Sequence, residues 1–475
     1  MPDDLRLSQA IPQDGLPPRQ RFWAVMTLVF AITMAALDTS IANTALPTIA
    51  ADVNASPASS VWVVNAYQLT LVATLLPFAS LGEILGYRRI YLYGLVVFTV
   101  GSLLCALSWS LPTLTAARVL QGIGSSGIMS INTALIRFIY PARALGRGVG
   151  FNALVVGVST AAGPSFAAAI LSVASWQYLF AVNVPFGVVA FVLGVRALPA
   201  TPRAAHRFDL GSAVLNAATF GLLIFGIGEA AHSADRVTVL LVLAGAAVAG
   251  TLLVRRQLSL PAPLLPLDLY RRPIFALSSA TSVCSFTAWG LAFVALPFYF
   301  QTTLGHSAVQ TGLLLTPWPV ATAIMAPIAG PLSDRFPPAI LGGIGMAMLC
   351  LGLILMSWLP SDPATFDIVL RMLVCGAGFG FFQSPNLKAI MSAAPPARSG
   401  SASGIVATSR LVGQALGAAL VALCFGLAGL HGPVLALGLG AGFAGVACLV
   451  SFSRLLPGSR GGGVPAAPAR KHLLQ

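Results

Sequence analysis

Fourteen apolar runs, each long enough to cross a bilayer, dominate this chain. A spanning helix needs about 20 mostly apolar residues. Runs of that length lie at 22–45, 61–81, 90–108, 111–133, 147–171, 176–195, 210–230, 237–254, 274–300, 309–332, 339–358, 366–388, 400–428 and 432–453. The period-2 alternation of a membrane barrel is absent, so the runs predict helices. Composition agrees. Charged residues make up 8% of 475 positions and hydrophobic ones 57%. A soluble chain carries about 25% charge, so lipid must cover most of this surface.

The positive-inside rule tests the count independently. If the chain starts in the cytoplasm, alternate loops and both tails hold 22 of the 26 Lys and Arg. Arg236 alone lies in an outer loop, and Arg118, Arg371 and Arg410 lie within helices. A missed helix would invert the alternation downstream, and no inversion occurs. The net charge of +13 is therefore a topology signal and not a nucleic-acid footprint. The expectation is a multi-pass protein of the cytoplasmic (inner) membrane with both termini cytoplasmic. The polar start, residues 1–21, lacks a credible cleavage site after the first run, so it reads as a tail before a retained helix.

The chain repeats itself weakly. Gly82, Glu83, Gly86 and Arg88 between the second and third runs match Gly330, Asp334 and Arg335 after the tenth. Arg118 precedes Gly122 and Gly124 in the fourth run; Arg371 precedes Gly376 and Gly378 in the twelfth. The offset of eight helices divides the chain into a tail (1–21), a six-helix bundle (22–197), a linker with two inserted helices (198–272), a second six-helix bundle (273–453) and a tail (454–475). Two repeated halves with a site between them near the midplane are a transporter pattern.

Several motifs resemble the major facilitator superfamily, in particular its fourteen-helix drug:proton antiporter branch. Leu37-Asp38-Thr39-Ser40-Ile41-Ala42-Asn43-Thr44-Ala45-Leu46-Pro47 is close to that branch's LDxTIVNVALP, and Arg118-Val119-Leu120-Gln121-Gly122-Ile123-Gly124 matches RxxQGxG. Gly157, Gly163 and Pro164 match most of gxxxGPxxGG, whose last two glycines are Ala167 and Ala168 here. The loop motif GxLaDRxGRR departs at Glu83 and Ile84, so one cation of its usual gating network is missing in the first half. The resemblance implies proton-coupled export, by alternating access, of lipophilic cationic drugs or other small molecules, by a chain that functions as a monomer. A dedicated metabolite exporter and a non-transporting receptor or assembly protein are the alternatives.

Charge inside a spanning helix is costly, about 2.5–3.5 kcal/mol on insertion scales, so the few instances carry information. Asp38 and Arg118 lie at comparable depth in the outer half of the first bundle. A neighbouring cation favours the carboxylate and desolvation favours the neutral acid. Switching between those settings makes Asp38 the candidate proton carrier, with Arg118 tuning it. A static ion pair is the plainer alternative. Arg371 has Asp367 at i−4, an ordinary helical pair, or else lines the cavity. Arg410 pairs with a lipid phosphate or with a neighbouring helix, and both readings stand.

Further substrate-cavity candidates are Asn43, Trp62, Tyr67, Gln121, Glu229, Trp289, Tyr299, Gln301, Gln383 and Asn386. Glu229 also reads as an interfacial acid, and the aromatics also read as packing. Gly157, Gly163, Gly413 and Gly417 are small residues at spacings that admit close helix contact. The six cysteines all fall in apolar runs without a C-x-x-C pair, which suggests buried thiols and neither disulfides nor a metal site. No phosphate-binding glycine loop, metal-spaced cluster or catalytic triad is present. The expectation is a transporter without cofactor or metal, driven by an ion gradient.

Overall fold

The structure, a computed structural model, describes residues 15–204, 208–231, 235–260, 267–395 and 398–456. Most of both tails, with Arg207, His206 and His232, lies outside them. The long helices are α1 (Pro18–Asp52), α2 (Pro57–Leu85), α3 (Tyr87–Ala106), α4 (Leu111–Ile139), α5 (Ala142–Leu171), α6 (Gln177–Ala197), α7 (Leu210–Ala230), α8 (Arg236–Ser259), α9 (Pro273–Thr303), α10 (Ala308–Arg335), α11 (Pro338–Ser357) and α12 (Thr365–Ala393). A last apolar stretch, Ala402–Ser453, covers 52 residues. As one helix it would run about 78 Å, more than twice the hydrocarbon core of about 30 Å. It is broken at Gly429, whose φ of +53° suits glycine. That gives α13 (Ser399–Ala428) and α14 (Gly432–Ser453). Among the described residues there is no strand. An even number of crossings brings both ends of the chain to one face, called here the terminal face; the other is the distal face.

Local chemistry sets the helix ends. Pro18 and Pro57 occupy first-turn positions, where a missing N–H costs nothing. Ser56 caps α2 by accepting from the Ser59 amide at 3.1 Å. Ser110 with Thr113 and Ser307 with Gln310 form capping boxes at the starts of α4 and α10. Gly86, with φ +97°, turns α2 into α3 within one residue. The helices overrun the apolar runs. α1 starts four residues before Phe22 and continues to Asp52, because Pro47 does not break it.

Helix packing repeats with an offset of eight. α4 packs on α2 and α3 as α12 packs on α10 and α11. α1 packs on α5 and α6 as α9 packs on α13 and α14. The same interval in sequence separates Gly122 from Gly376, Gly124 from Gly378 and Gly163 from Gly417. Each pair sits at a tight helix contact. Across the middle, α5 meets α10, α2 meets α13, and α1 meets α9. α7 fills the angle between α2 and α13, and α8 packs mainly against α7.

Contacts across the middle include a seal toward the distal face. Ile41, Ala45, Leu46 and Ile49 of α1 and Val61 and Val64 of α2 share one apolar cluster with Leu291, Val294 and Phe298 of α9 and Val421 and Phe425 of α13. Also toward the distal face, between α5 and α10, Ser165 and Thr316 are hydrogen-bonded at 2.7 Å. A Cβ on Gly312 would lie 2.5 Å from the Pro164 carbonyl oxygen, so glycine is what lets α10 approach α5 there.

Candidate functional site

Asp38 and Arg118 meet. Each side chain is 1% exposed, and Arg118 Nη1 donates to Asp38 Oδ2. α1 supplies the acid from mid-helix; α4 supplies the cation seven residues from its distal end, about 11 Å at 1.5 Å per residue. Asp38 Oδ1 also accepts from Gln121 Nε2 at 2.7 Å and from Asn183 Nδ2 at 3.2 Å. Gln121 is one helical turn beyond Arg118, and its Oε1 accepts from Arg118 Nη1 at 2.6 Å. Its Nε2 reaches Ser102 Oγ at 2.9 Å. Arg118 Nε donates to the Val63 carbonyl at 2.9 Å. The guanidinium lies 4.2 Å from the Tyr67 ring centre and 5.5 Å from that of Phe180. The Tyr67 hydroxyl bonds to Ser125 Oγ at 2.7 Å.

This arrangement suits a group that changes charge. A buried ion pair normally cannot lose one member without stranding the other, at about 3–5 kcal/mol. Here Arg118 keeps two carbonyl acceptors and two aromatic faces when Asp38 is neutral, and cations are attracted to such faces. Asp38 in turn keeps amide donors from Gln121 and Asn183. Ile41, one turn along α1 from Asp38, belongs to the distal seal. Any shift of α1 that accompanies protonation therefore reaches the contact between the two helix sets.

Among its described residues the C-terminal set has no such cluster. α9 carries no acidic residue. The interval that relates the paired glycines carries Arg118 to Met372, which is fully buried in an apolar cluster with Ala288, Trp289, Phe293 and Cys375. Arg371 as the counterpart of Arg118 is thereby corrected. One residue of register is a rotation of about 100°. Arg371 instead pairs with Asp367 at 2.8 Å, and it also donates to the Leu355 carbonyl.

The remaining cavity candidates are dispersed. Trp62 packs on Phe225 of α7, with Glu229 near the distal end of that helix. Trp289 stacks on Phe293, and Tyr299 lies in the same apolar cluster. Both are 7% exposed or less. Gln301 joins the two sets, since it accepts from Thr48 Oγ1 at 3.3 Å and donates to the Thr44 carbonyl at 3.5 Å. Asn43 is buried, with no hydrogen-bond partner for either amide atom among the described residues, and Gln383 is half-buried on α12. Asn386 belongs to a polar cluster near the terminal face. It donates to the Ser278 carbonyl and to Ser282 Oγ and accepts from Arg454 Nη1 at 3.0 Å. Arg454 falls at the start of the expected C-terminal tail, yet it is 5% exposed and also bonds Ser278 and Ser451.

The glycines divide. A Cβ on Gly163 would lie 2.3 Å from Ser40 Oγ, and Cβ atoms on Gly413 and Gly417 would strike the α9 backbone at 2.6 and 2.5 Å. Gly157 faces open space, with nothing within 4 Å, so its expected role in close helix contact is corrected. At the terminal face, Gly82 packs against Ile131 and Tyr87, and Arg88 Nη2 donates to the Val195 carbonyl at 2.5 Å. Glu83 accepts at its backbone carbonyl from the Ala204 amide at 2.7 Å. In the second loop Asp334 pairs with Lys388 at 2.5 Å, while Arg335 is exposed. All six cysteines are free thiols.

Residues 28–418 match the model of the Major Facilitator Superfamily. The chain belongs to that superfamily. It is 54% identical to the uncharacterized transporter YebQ of Escherichia coli strain K12, over 94% of this chain and 98% of that protein. It is 30% identical to the riboflavin transporter RibZ of Clostridioides difficile strain 630, over 86% of this chain and 89% of that one. It is also 30% identical to the multidrug resistance protein Stp of Mycobacterium tuberculosis strain CDC 1551, over 84% and 75%. This Major Facilitator chain is thus a multi-pass membrane transporter of the superfamily fold.

Proposed function

We propose that the chain is a proton-coupled exporter of lipophilic small molecules that works by alternating access. Asp38 carries the proton and Arg118 is its counter-charge. The observation that carries this reading is the buried Asp38–Arg118 pair, whose acceptors and aromatic faces serve either charge state, one turn from the distal seal. Helices within 22–197 and 273–453 move as two bodies about the α5–α10, α2–α13 and α1–α9 contacts, with α7 beside the α2–α13 contact. Arrival of a proton at Asp38 loosens its hold on Arg118 and with it the packing of α1 against α9. The names of the RibZ and Stp relatives support a small organic substrate. The excess of Lys and Arg on the terminal face supports cytoplasmic termini in an inner membrane.

The test uses everted membrane vesicles that hold a pH gradient. Compounds that are substrates release protons and collapse part of the gradient in vesicles containing the chain, and not in vesicles lacking it. A compound that the vesicles accumulate equally well with the gradient dissipated contradicts the coupling.

A further inference from the structure

The described acids leave nothing for a cationic substrate to bind in the middle of the molecule. Asp52, Glu83, Glu229, Asp334 and Asp367 all lie within one turn of a helix end. Asp38 is the one carboxylate deep within a helix. It is 1% exposed and already bonded to Arg118, Gln121 and Asn183. The cationic substrate expected from the sequence therefore has no free acid to meet it. A cation, in contrast, is available.

Arg410 lies on α13 eleven residues from Ser399 and eighteen from Ala428, about 17 and 27 Å from the two helix ends. Neither helix end is within reach of the arginine side chain. It is half-buried, as is Gln414 one turn beyond it. Among the described residues neither side chain has a hydrogen-bond or ion-pair partner.

The faces of α13 say where the two side chains point. Gly413 and Gly417 touch α9. Leu411, Ala415 and Ala419 pack with Leu71 of α2 and Ile224 of α7. Arg410 and Gln414 fall between those two faces, toward the seam where the two helix sets meet. Val421, two turns from Gln414 on the same side, belongs to the distal seal. Across the seam, Gln68 of α2 lies one turn from Val64, also part of the seal. It is 2% exposed, and its side-chain carbonyl oxygen has no partner among the described residues.

We propose that Arg410, with Gln414 and Gln68, forms the polar part of the substrate site in the seam on the terminal side of the distal seal, and that it selects amphipathic organic anions such as aromatic carboxylates. A bare guanidinium at mid-membrane depth is expensive. It is retained where a cavity opens and a charge-assisted bond to an arriving carboxylate can form. The apolar walls of the seam receive the rest of the molecule. This inference rests on the transporter reading and names its substrate class.

Three compounds with one ring system and three charges test it: 2-naphthoate, 2-naphthamide and 2-naphthylmethylammonium. Uptake is measured in proteoliposomes of the full chain under an imposed pH gradient. The wild type is expected to prefer naphthoate to the ammonium compound at least tenfold. Arg410→Gln lowers the naphthoate-to-naphthamide ratio at least tenfold, and Arg410→Lys keeps it within threefold. An unchanged ratio in Arg410→Gln, or a wild-type preference for the ammonium compound, overturns the proposal. So does a loss of bound phospholipid in native mass spectrometry of Arg410→Gln with the charge preference intact, since it assigns the arginine to a lipid headgroup. Naphthoate uptake that ignores the pH gradient removes the coupling reading and leaves this one. Gradient-driven uptake of the ammonium compound alone does the reverse.

Discussion

Gln121 ties both members of the buried pair together: its amide nitrogen donates to Asp38 at 2.7 Å while its carbonyl accepts from Arg118 at 2.6 Å. Gln121→Leu removes both bonds and fills the same space. Asp38 keeps Asn183 and Arg118 as donors and Arg118 keeps Asp38 and the Val63 carbonyl as acceptors, so the loss is one bond from each, at about 0.5–1.5 kcal/mol per bond. The variant is expected to melt several degrees lower in detergent and to lose proton-driven transport. Wild-type melting and transport in Gln121→Leu would mean that the bridge is incidental.

Gly163 and Ser40 make a second paired test. Gly163→Ala places a methyl against the Ser40 side chain, 2.3 Å from its oxygen and 2.4 Å from its Cβ. It should slow transport by pushing α1 off α5. Ser40→Gly is expected to restore much of the loss, because the colliding atoms belong to that side chain. Gly157→Ala, with nothing within 4 Å, should be silent. Equal effects at 157 and 163 would contradict the contact.

Ser165 and Thr316 hold α5 to α10 on the distal side, with their oxygens 2.7 Å apart. Cysteines at both positions, in a chain freed of its own six, are placed to form a disulfide. Oxidation should stop transport and a reductant restore it. Transport at full rate by the crosslinked chain would show that this contact need not open.

Substrate charge alters the energetics. One proton moving in against one monoanion moving out transfers two positive charges inward, about 4.6 kcal/mol per 100 mV from the potential alone. Exchange of a proton for a monocation transfers none. Naphthoate export is therefore expected to accelerate when a valinomycin-set potassium potential, negative on the side the substrate leaves, is imposed. A rate insensitive to that potential would count against anion export by proton exchange.

Asp209 supplies a pH prediction away from the membrane interior. Hydrogen bonds from Arg256 and Ser212 hold its carboxyl down at about 2, below the ordinary value of 3.8. A depressed acid contributes fully above its unfolded pKa and loses that contribution as the pH falls toward the folded value. Between pH 5 and 8 the α7–α8 connection should not weaken. Melting curves of wild type and Asp209→Asn should run parallel across that range, and a divergence confined to it would be unexplained.

Much of this was legible because charge is scarce in apolar helices. Asp38 and Arg118 stand out in their runs, and burial without pairing is too costly for both to stay apart. Asn183 carries no charge and sits in an unremarkable run, so only the fold reveals it as a third donor to Asp38. For Arg371 the i−4 pair with Asp367 was legible, and only the alternative, a cavity-lining counterpart of Arg118, fails. Its spacing to the glycines looks right to within one residue, but one residue turns a side chain by about 100° on a helix. Gly157 matched a motif by position, although the fold gives it no neighbour. Arg410 was readable as a buried charge and not as a site, because the faces of α13 are defined only by what packs on them.

If Asp38 carries the transported proton, Asp38→Asn removes the coupling and spares the substrate site. The amide keeps the size and one carbonyl acceptor but cannot titrate. In proteoliposomes the account predicts that Asp38→Asn loses uphill, pH-driven accumulation of naphthoate yet still exchanges labelled for unlabelled naphthoate down its gradient. Accumulation by Asp38→Asn to the wild-type level under the same pH gradient would contradict it.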